Sequence, residues 1–289
     1  METSSQNENP RETLGKPSNF FCTEKNPVIS VQNLTKDYGH GRGNFDVSFS
    51  VKRGEVFGFL GPNGAGKTTT IRHLLGFSKP QSGSTAIMGI DCWAKPEDVQ
   101  KHLGYVAGEI AFPEGMQGWQ FLKQIIDMRK LGQAGIDRAK ELCEFFKLNT
   151  NAKLKRMSKG TKQKIALVVA FMHDPEILIL DEPTSGLDPL MQARFVELIE
   201  REKSRGKTIL MSSHMFDEVE KTCDRVAIIK QGRVIAETDL KNIDEKTRKK
   251  YEVKKFSLEK YFMDFYREDE IKVASVQENP WGVKDETAI

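Results

Sequence analysis

The sequence is poor in features that would anchor it in a membrane or staple it with disulfides. It has four cysteines in 289 residues, Cys22, Cys92, Cys143 and Cys223, with no CxxC pair and no histidine cluster beside them. That spacing excludes a zinc ribbon and a disulfide framework and points to reduced thiols in a cytosolic protein. No apolar run is long enough to span a bilayer: the longest, from Ile165 to Leu180, is interrupted by His173, Asp174, Pro175 and Glu176. The opening METSSQNENPRETLGKPSN lacks the apolar stretch of a signal peptide. The chain is therefore not expected to enter or cross a membrane by itself. Charge of one sign is also scarce in excess, with 44 Lys and Arg against 41 Asp and Glu, and a net of +3 gives no case for a nucleic-acid partner.

The 38% of apolar residues is enough for one large α/β domain or two small ones. Residues 1–26, rich in Ser, Asn, Pro and charge, are expected to form a disordered arm. From Val28 to Leu34 and from Phe45 to Val51, apolar and polar residues alternate as in antiparallel strands around a Gly-rich turn. Val56 to Leu60 is a continuous apolar run, as in a strand buried on both faces. A segment of about 96–160 carries apolar residues at helical spacing (Trp119, Leu122, Ile125, Ile126; then Ile136, Ala139, Cys143, Phe146) and is expected to be a helical subdomain. Buried strands follow at 177–180, 208–212 and 225–229, with a turn at Gln231-Gly232. Residues 241–289 form an extension in which Leu258, Tyr261, Phe262 and Phe265 have helical spacing.

Gly61-Pro62-Asn63-Gly64-Ala65-Gly66-Lys67-Thr68-Thr69 fits GxxxxGK[ST], placed after one predicted strand and before a helical run. Its glycines let backbone N–H groups face a phosphate, and the helix N-terminus adds partial positive charge. Lys67 can then reach the β- and γ-phosphates of ATP, while the Thr68 hydroxyl is suited to Mg²⁺. Ile177-Leu178-Ile179-Leu180-Asp181-Glu182 puts two carboxylates at the end of a buried strand. There Asp181 is expected to hold Mg²⁺ through water and Glu182 to orient or deprotonate the attacking water. Ser158 and Gly160, at the start of another helical run, can form a second anion site.

The segment Met157-Ser158-Lys159-Gly160-Thr161-Lys162-Gln163-Lys164 is similar to the LSGGQ signature of ATP-binding cassette (ABC) proteins, and Ser158 precedes Asp181 by 23 residues, as in that family. Ser185-Gly186-Leu187-Asp188 resembles the family's D-loop and His214 its switch histidine, so the resemblance runs from about Val28 to Ala236. It implies a RecA-like P-loop core with an antiparallel β subdomain and a helical subdomain. It also implies that Ser158 and Gly160 contact the nucleotide held by a second cassette, identical or paralogous, that His214 reaches the γ-phosphate or positions Glu182, and that adenine stacks on Tyr38. Arg42 carries too little signal to assign. The chain departs from the family where a Q-loop glutamine is usual: Leu103-Gly104-Tyr105-Val106-Ala107-Gly108-Glu109 has Glu109 there, a candidate Mg²⁺ ligand. Such variants resemble the branch of drug and peptide exporters whose transmembrane permease is a separate chain. The expected role is a peripheral ATPase on the cytoplasmic membrane face, with an importer subunit, a soluble cassette ATPase acting on ribosomes or DNA, and a P-loop kinase as rivals. The apolar residues Phe112, Pro113, Met116 and Trp119 are expected to meet the permease.

Overall fold

The computed structural model describes residues 27–113, 115–240, 258–260 and 263. The expected N-terminal arm and most of the C-terminal extension, including Tyr261, Phe262 and Phe265, lie outside the described residues.

Two sheets form the frame. The first is antiparallel, in the order β2 (Gly43–Val51), β1 (Ile29–Asp37), β4 (Ser82–Ile87), β5 (Ile90–Asp91). The second has six strands: β10 (Arg233–Asp239), β9 (Arg225–Lys230), β3 (Val56–Leu60), β8 (Thr208–Ser213), β7 (Ile177–Asp181) and β6 (Leu103–Val106). All its pairings are parallel except β10 on β9, which closes the hairpin at Gln231-Gly232. This is the expected P-loop architecture of an α/β core with an antiparallel subdomain.

The central strands read as unbroken apolar runs because both faces are covered. On β3, Val56 and Leu60 face one core while Phe57 and Phe59 face the other. The first core is roofed by α3 (Gly118–Met128), α4 (Gly132–Phe145), α5 (Lys159–Phe171), α6 (Pro189–Ser204) and α7 (Phe216–Thr222). The second joins the six-stranded sheet to α1 (Lys67–Leu74), α2 (Pro96–Gln100) and the antiparallel sheet. Gly58 gives α7 its close approach, since a Cβ there would lie 2.9 Å from Val219 and 3.0 Å from the Cys223 sulfur. Burial holds the thiols protonated, pushing Cys92 and Cys223 up to about 12 and Cys143 up to about 11.

One boundary differs from the expectation. The helical subdomain does not open near residue 96: α2 packs beside β5 and β6, and β6 pairs with β7 inside the main sheet. Leu103 and Val106 are buried there, so a strand of four residues sits within a stretch whose apolar spacing reads as helical further on. The helices proper begin at Gly118. Of the C-terminal extension, Leu258 is fully buried in the first core and its N–H donates to Glu220.

Phe59 lies in the middle of the second core, 5.0 Å from the Phe49 ring. Phe59→Ala is expected to lower the unfolding free energy by about 3–5 kcal/mol, read as a lower urea midpoint at unchanged slope.

Candidate functional site

The side chains of chemical interest gather at the C-terminal ends of the parallel strands, where open α/β sheets bind ligands. Period-two alternation decides which face each one takes. On β7, Leu178 and Leu180 face the helical roof while Ile177 and Ile179 face α1, so Asp181 falls on the α1 side. On β8, Ser212 stands opposite Asp181 in register and falls on the same side. Thr68, at the start of α1, completes the group. Its Oγ1 donates to Asp181 Oδ2 at 2.8 Å, and Ser212 Oγ donates to Asp181 Oδ1 at 2.5 Å, while Asp181 itself is fully buried.

The P-loop between β3 and α1 is shaped by glycine. Gly64 and Gly66 have φ of 79° and 110°, which L side chains rarely adopt. Gly61 has no room for a side chain, because a Cβ would lie 2.4 Å from the Ile229 carbonyl oxygen. The loop lines a cavity of about 560 Å³ with Tyr38, Arg42, Gly43, Asn63, Gly64, Ala65, Gly66, Lys67, Thr68, Thr69, Arg72 and Glu182. Gly61 and Pro62 serve through their carbonyls, which accept from Lys67 Nζ at 2.6 and 3.2 Å. Tyr38 stands 49% exposed at the cavity's edge, open to a stacking partner. Arg42, unassigned from sequence, and Arg72, unmarked there, both line the cavity. Arg72 follows Thr68 by four residues on α1, so helical spacing was the signal that could have found it.

Glu182 joins the cradle to the rest of the site. One carboxylate oxygen lies 3.1 Å from Lys67 Nζ and the other 2.6 Å from His214 Nδ1. A carboxylate only accepts, so Nδ1 carries the proton in this contact and donates it. Glu182 has a φ of 49°, a left-handed conformation that costs a non-glycine residue on the order of 1 kcal/mol and persists only where neighbours enforce it. Its N–H donates to Ser212, both carbonyl and hydroxyl, at 3.2 Å. His214 is fixed from either side: Ser213 Oγ donates to Glu218 Oε2 at 2.7 Å and accepts the Met215 N–H at 3.0 Å.

Mg²⁺ takes oxygen ligands and usually only one or two carboxylates beside phosphate and water. Thr68 Oγ1, which lines the cavity, and the Asp181 carboxylate bonded to it fit that donor set. Glu109 does not join them. It lines a separate cavity of about 370 Å³ with Gly108, Ile110, Lys159, Lys162 and Gln163. Gly108, not Glu109, lies against the Asp181 carboxylate, and a carboxylate is better placed beside two lysines than beside phosphates and a second acid. The structure thus places Glu109, expected as a Mg²⁺ ligand, outside the cavity that Thr68 lines.

Ser158 and Gly160 also stand apart from the cradle. Ser158 caps α5, its Oγ accepting the Thr161 N–H at 3.2 Å. Gly160 abuts the D-loop, with a Cβ there only 2.4 Å from the Gly186 carbonyl oxygen. Of the apolar residues beyond Glu109, Phe112, Met116 and Trp119 are half-buried against the helical core, and Phe112 packs edge-on to Phe121 at 5.1 Å.

Glu218 offers a test of this packing. Burial pushes its carboxyl above the ordinary carboxylate range. An acid raised in the folded state costs nothing while both states are protonated, and it destabilises increasingly as pH climbs from its unfolded value toward its folded one. Glu218→Gln keeps an acceptor for Ser213 and removes the titration. Its melting temperature should match that of the unaltered chain near about pH 4 and exceed it by a growing margin as pH rises; a constant margin across that range counts against a raised carboxyl.

Comparison with known proteins adds a family. Residues 45–185 match the ABC transporter family model. The chain is 37% identical over 214 residues to the probable multidrug ABC transporter ATP-binding protein YbhF of Escherichia coli (strain K12), covering 72% of this chain but only 36% of that protein's length. It is 32% identical over 261 residues to the bacitracin transport ATP-binding protein BcrA of Bacillus licheniformis, covering 89% of this chain and 81% of the relative. Among solved structures, the ATP-binding subunit of an ABC transporter superposes with a TM-score of 0.73 at 30% identity, over 83% of this chain and 99% of that one. With the P-loop, the paired acids and the switch histidine gathered on one sheet edge as that resemblance requires, the chain belongs to the ATP-binding proteins of ABC transporters.

Proposed function

We propose that this chain binds and hydrolyses ATP with Mg²⁺ as one of two cassettes closed head to tail, and that the cycle drives export of a drug, peptide or lipid-like substrate through a separate transmembrane permease. The observation that carries the reading is the setting of Glu182, in contact with Lys67 and His214 at the rim of a phosphate-shaped cradle. The relatives, named as a probable multidrug and a bacitracin transport protein, favour export. Among the described residues no helix is long and apolar enough to cross a membrane. The reading places the passage in the permease and this chain on the cytoplasmic membrane face.

In this reading the P-loop amides and the N-terminus of α1 receive the phosphates, and Lys67 neutralises charge between the β- and γ-groups. Thr68 and Asp181 hold Mg²⁺, which when bound offsets charge on the phosphate oxygens. Glu182 accepts a hydrogen bond from the attacking water, and His214 keeps that carboxylate oriented through Nδ1. Tyr38 stacks on adenine. Ser158 and the Gly160 N–H, at the head of α5 and outside their own cradle, are free to meet the γ-phosphate held by a second cassette, so two sites related by a two-fold axis close the assembly.

Glu182→Gln is expected to lower turnover by roughly 10²–10⁴ while leaving nucleotide bound. The same variant is expected to run as a monomer without ATP and as a dimer with it. Normal turnover refutes the role given to Glu182, and a mass that ignores ATP refutes the sandwich.

A further inference from the structure

Gln163 lies five residues beyond Ser158 on α5 and is 1% exposed. Its side chain does not serve its own helix. The amide Nε2 donates to the Pro183 carbonyl at 2.8 Å and, at 3.4 Å, to the carbonyl of Glu182. The turn that follows β7 is thus held at three points. Ser212 takes the Glu182 N–H, the Ser185 N–H closes the turn onto the Glu182 carbonyl at 3.1 Å, and Gln163 ties it to α5. Within this turn Glu182 keeps its left-handed φ of 49°. Three residues before Gln163, Gly160 presses on Gly186, so the head of α5 touches the chain on both sides of the turn.

We propose that Gln163 is a positioning residue for hydrolysis: it sets the Glu182 carboxylate through the backbone of its turn and ties that setting to the signature end of α5. The proposal rests on the reading of Glu182 and of the Ser158 end given above. A left-handed non-glycine residue relaxes when its restraints are removed, and relaxation here swings the carboxylate that faces the water. Ser158 and Gln163 are parts of one rigid helix. An anion engaged at Ser158 therefore biases the position of Gln163, and through it the base belonging to the other nucleotide site. A glutamine that only satisfied its own buried amide would matter for folding and not for the chemical step.

Two variants of the full chain separate these. Gln163→Met removes both donors at similar volume, and Gln163→Glu keeps the shape and puts a carboxyl group against the two carbonyls. At neutral pH Gln163→Met is expected to lower kcat by roughly 10- to 100-fold with the ATP KM within about twofold, as for a misplaced catalytic group. Nucleotide binding is retained, and so is the ATP-dependent dimer when Glu182→Gln is added. Burial against two carbonyls favours the protonated acid in Gln163→Glu, which keeps an O–H donor; its kcat, compared at equal pH, should therefore lie above that of Gln163→Met and fall toward it as alkaline pH ionises the acid. Unchanged kcat in Gln163→Met, a KM that rises with kcat intact, a Gln163→Glu chain no faster than Gln163→Met at any pH, or loss of folding in both variants overturns the proposal alone. Normal turnover in Glu182→Gln run alongside overturns the underlying reading and this proposal together.

Discussion

Everything at the site depends on the way β8 lies between β3 and β7. Parallel pairing brings the ends of three strands level, and the residues there, Gly61, Asp181 and Ser212-Ser213, become neighbours although Asp181 precedes Ser212 by 31 positions and Gly61 precedes Ser213 by 152. Ser212 is the hinge of the arrangement. Its hydroxyl donates to Asp181 and its carbonyl accepts from Glu182, so one residue fixes both acids. Had the order been β3-β7-β8, Asp181 would sit directly beside the P-loop and His214 on its far side. The observed order leaves a strand's width between cradle and acids, and Thr68, reaching from the head of α1, spans it.

How much of this was legible follows from where the information resides. Motifs whose residues are contiguous could be read directly: the P-loop, the two acids after an apolar run, and the serine before a helix all hold their expected places. The face of Asp181 was not legible, since Ile177 to Leu180 is apolar at every position and only the two cores show which side each residue takes. Nor was the β6 strand legible from periodicity. Four residues between two helical segments carry too little alternation to be told from the first turn of a helix, and only pairing with β7 makes Leu103 and Val106 core residues. Gln163 was invisible for a different reason. Its partners are backbone carbonyls twenty residues away, and a carbonyl leaves no mark in a sequence.

Gly160 shows how one residue can satisfy two demands. From sequence its value is a bare N–H able to approach an anion. The structure adds a packing demand within the same chain, because Gly186 leaves no space for a Cβ. A side chain at this position would push the D-loop away before any second cassette arrived. Glu109 shows the converse. A family position predicts a ligand, yet the local charges decide where the group settles, and Lys159 and Lys162 lie with it around the other cavity.

In the proposed reading, the pairing of Lys67 with Glu182 links substrate recognition to the chemical step. The two side chains are 6% and 19% exposed and 3.1 Å apart, so neither charge is well hydrated and each depends on the other for compensation. A phosphate entering the cradle competes with Glu182 for Lys67. When it wins, Lys67 is compensated by the substrate, and the Glu182 oxygen it held is left as a poorly solvated acceptor next to the incoming phosphate. Such an oxygen seeks a hydrogen-bond donor, and a water molecule in line with the phosphate supplies one. His214, anchored on the other oxygen at 2.6 Å, keeps the carboxylate from turning away as that exchange happens. In this arrangement substrate binding itself turns an ion-paired carboxylate into an oriented acceptor, and the ion pair keeps Glu182 occupied until phosphate is present.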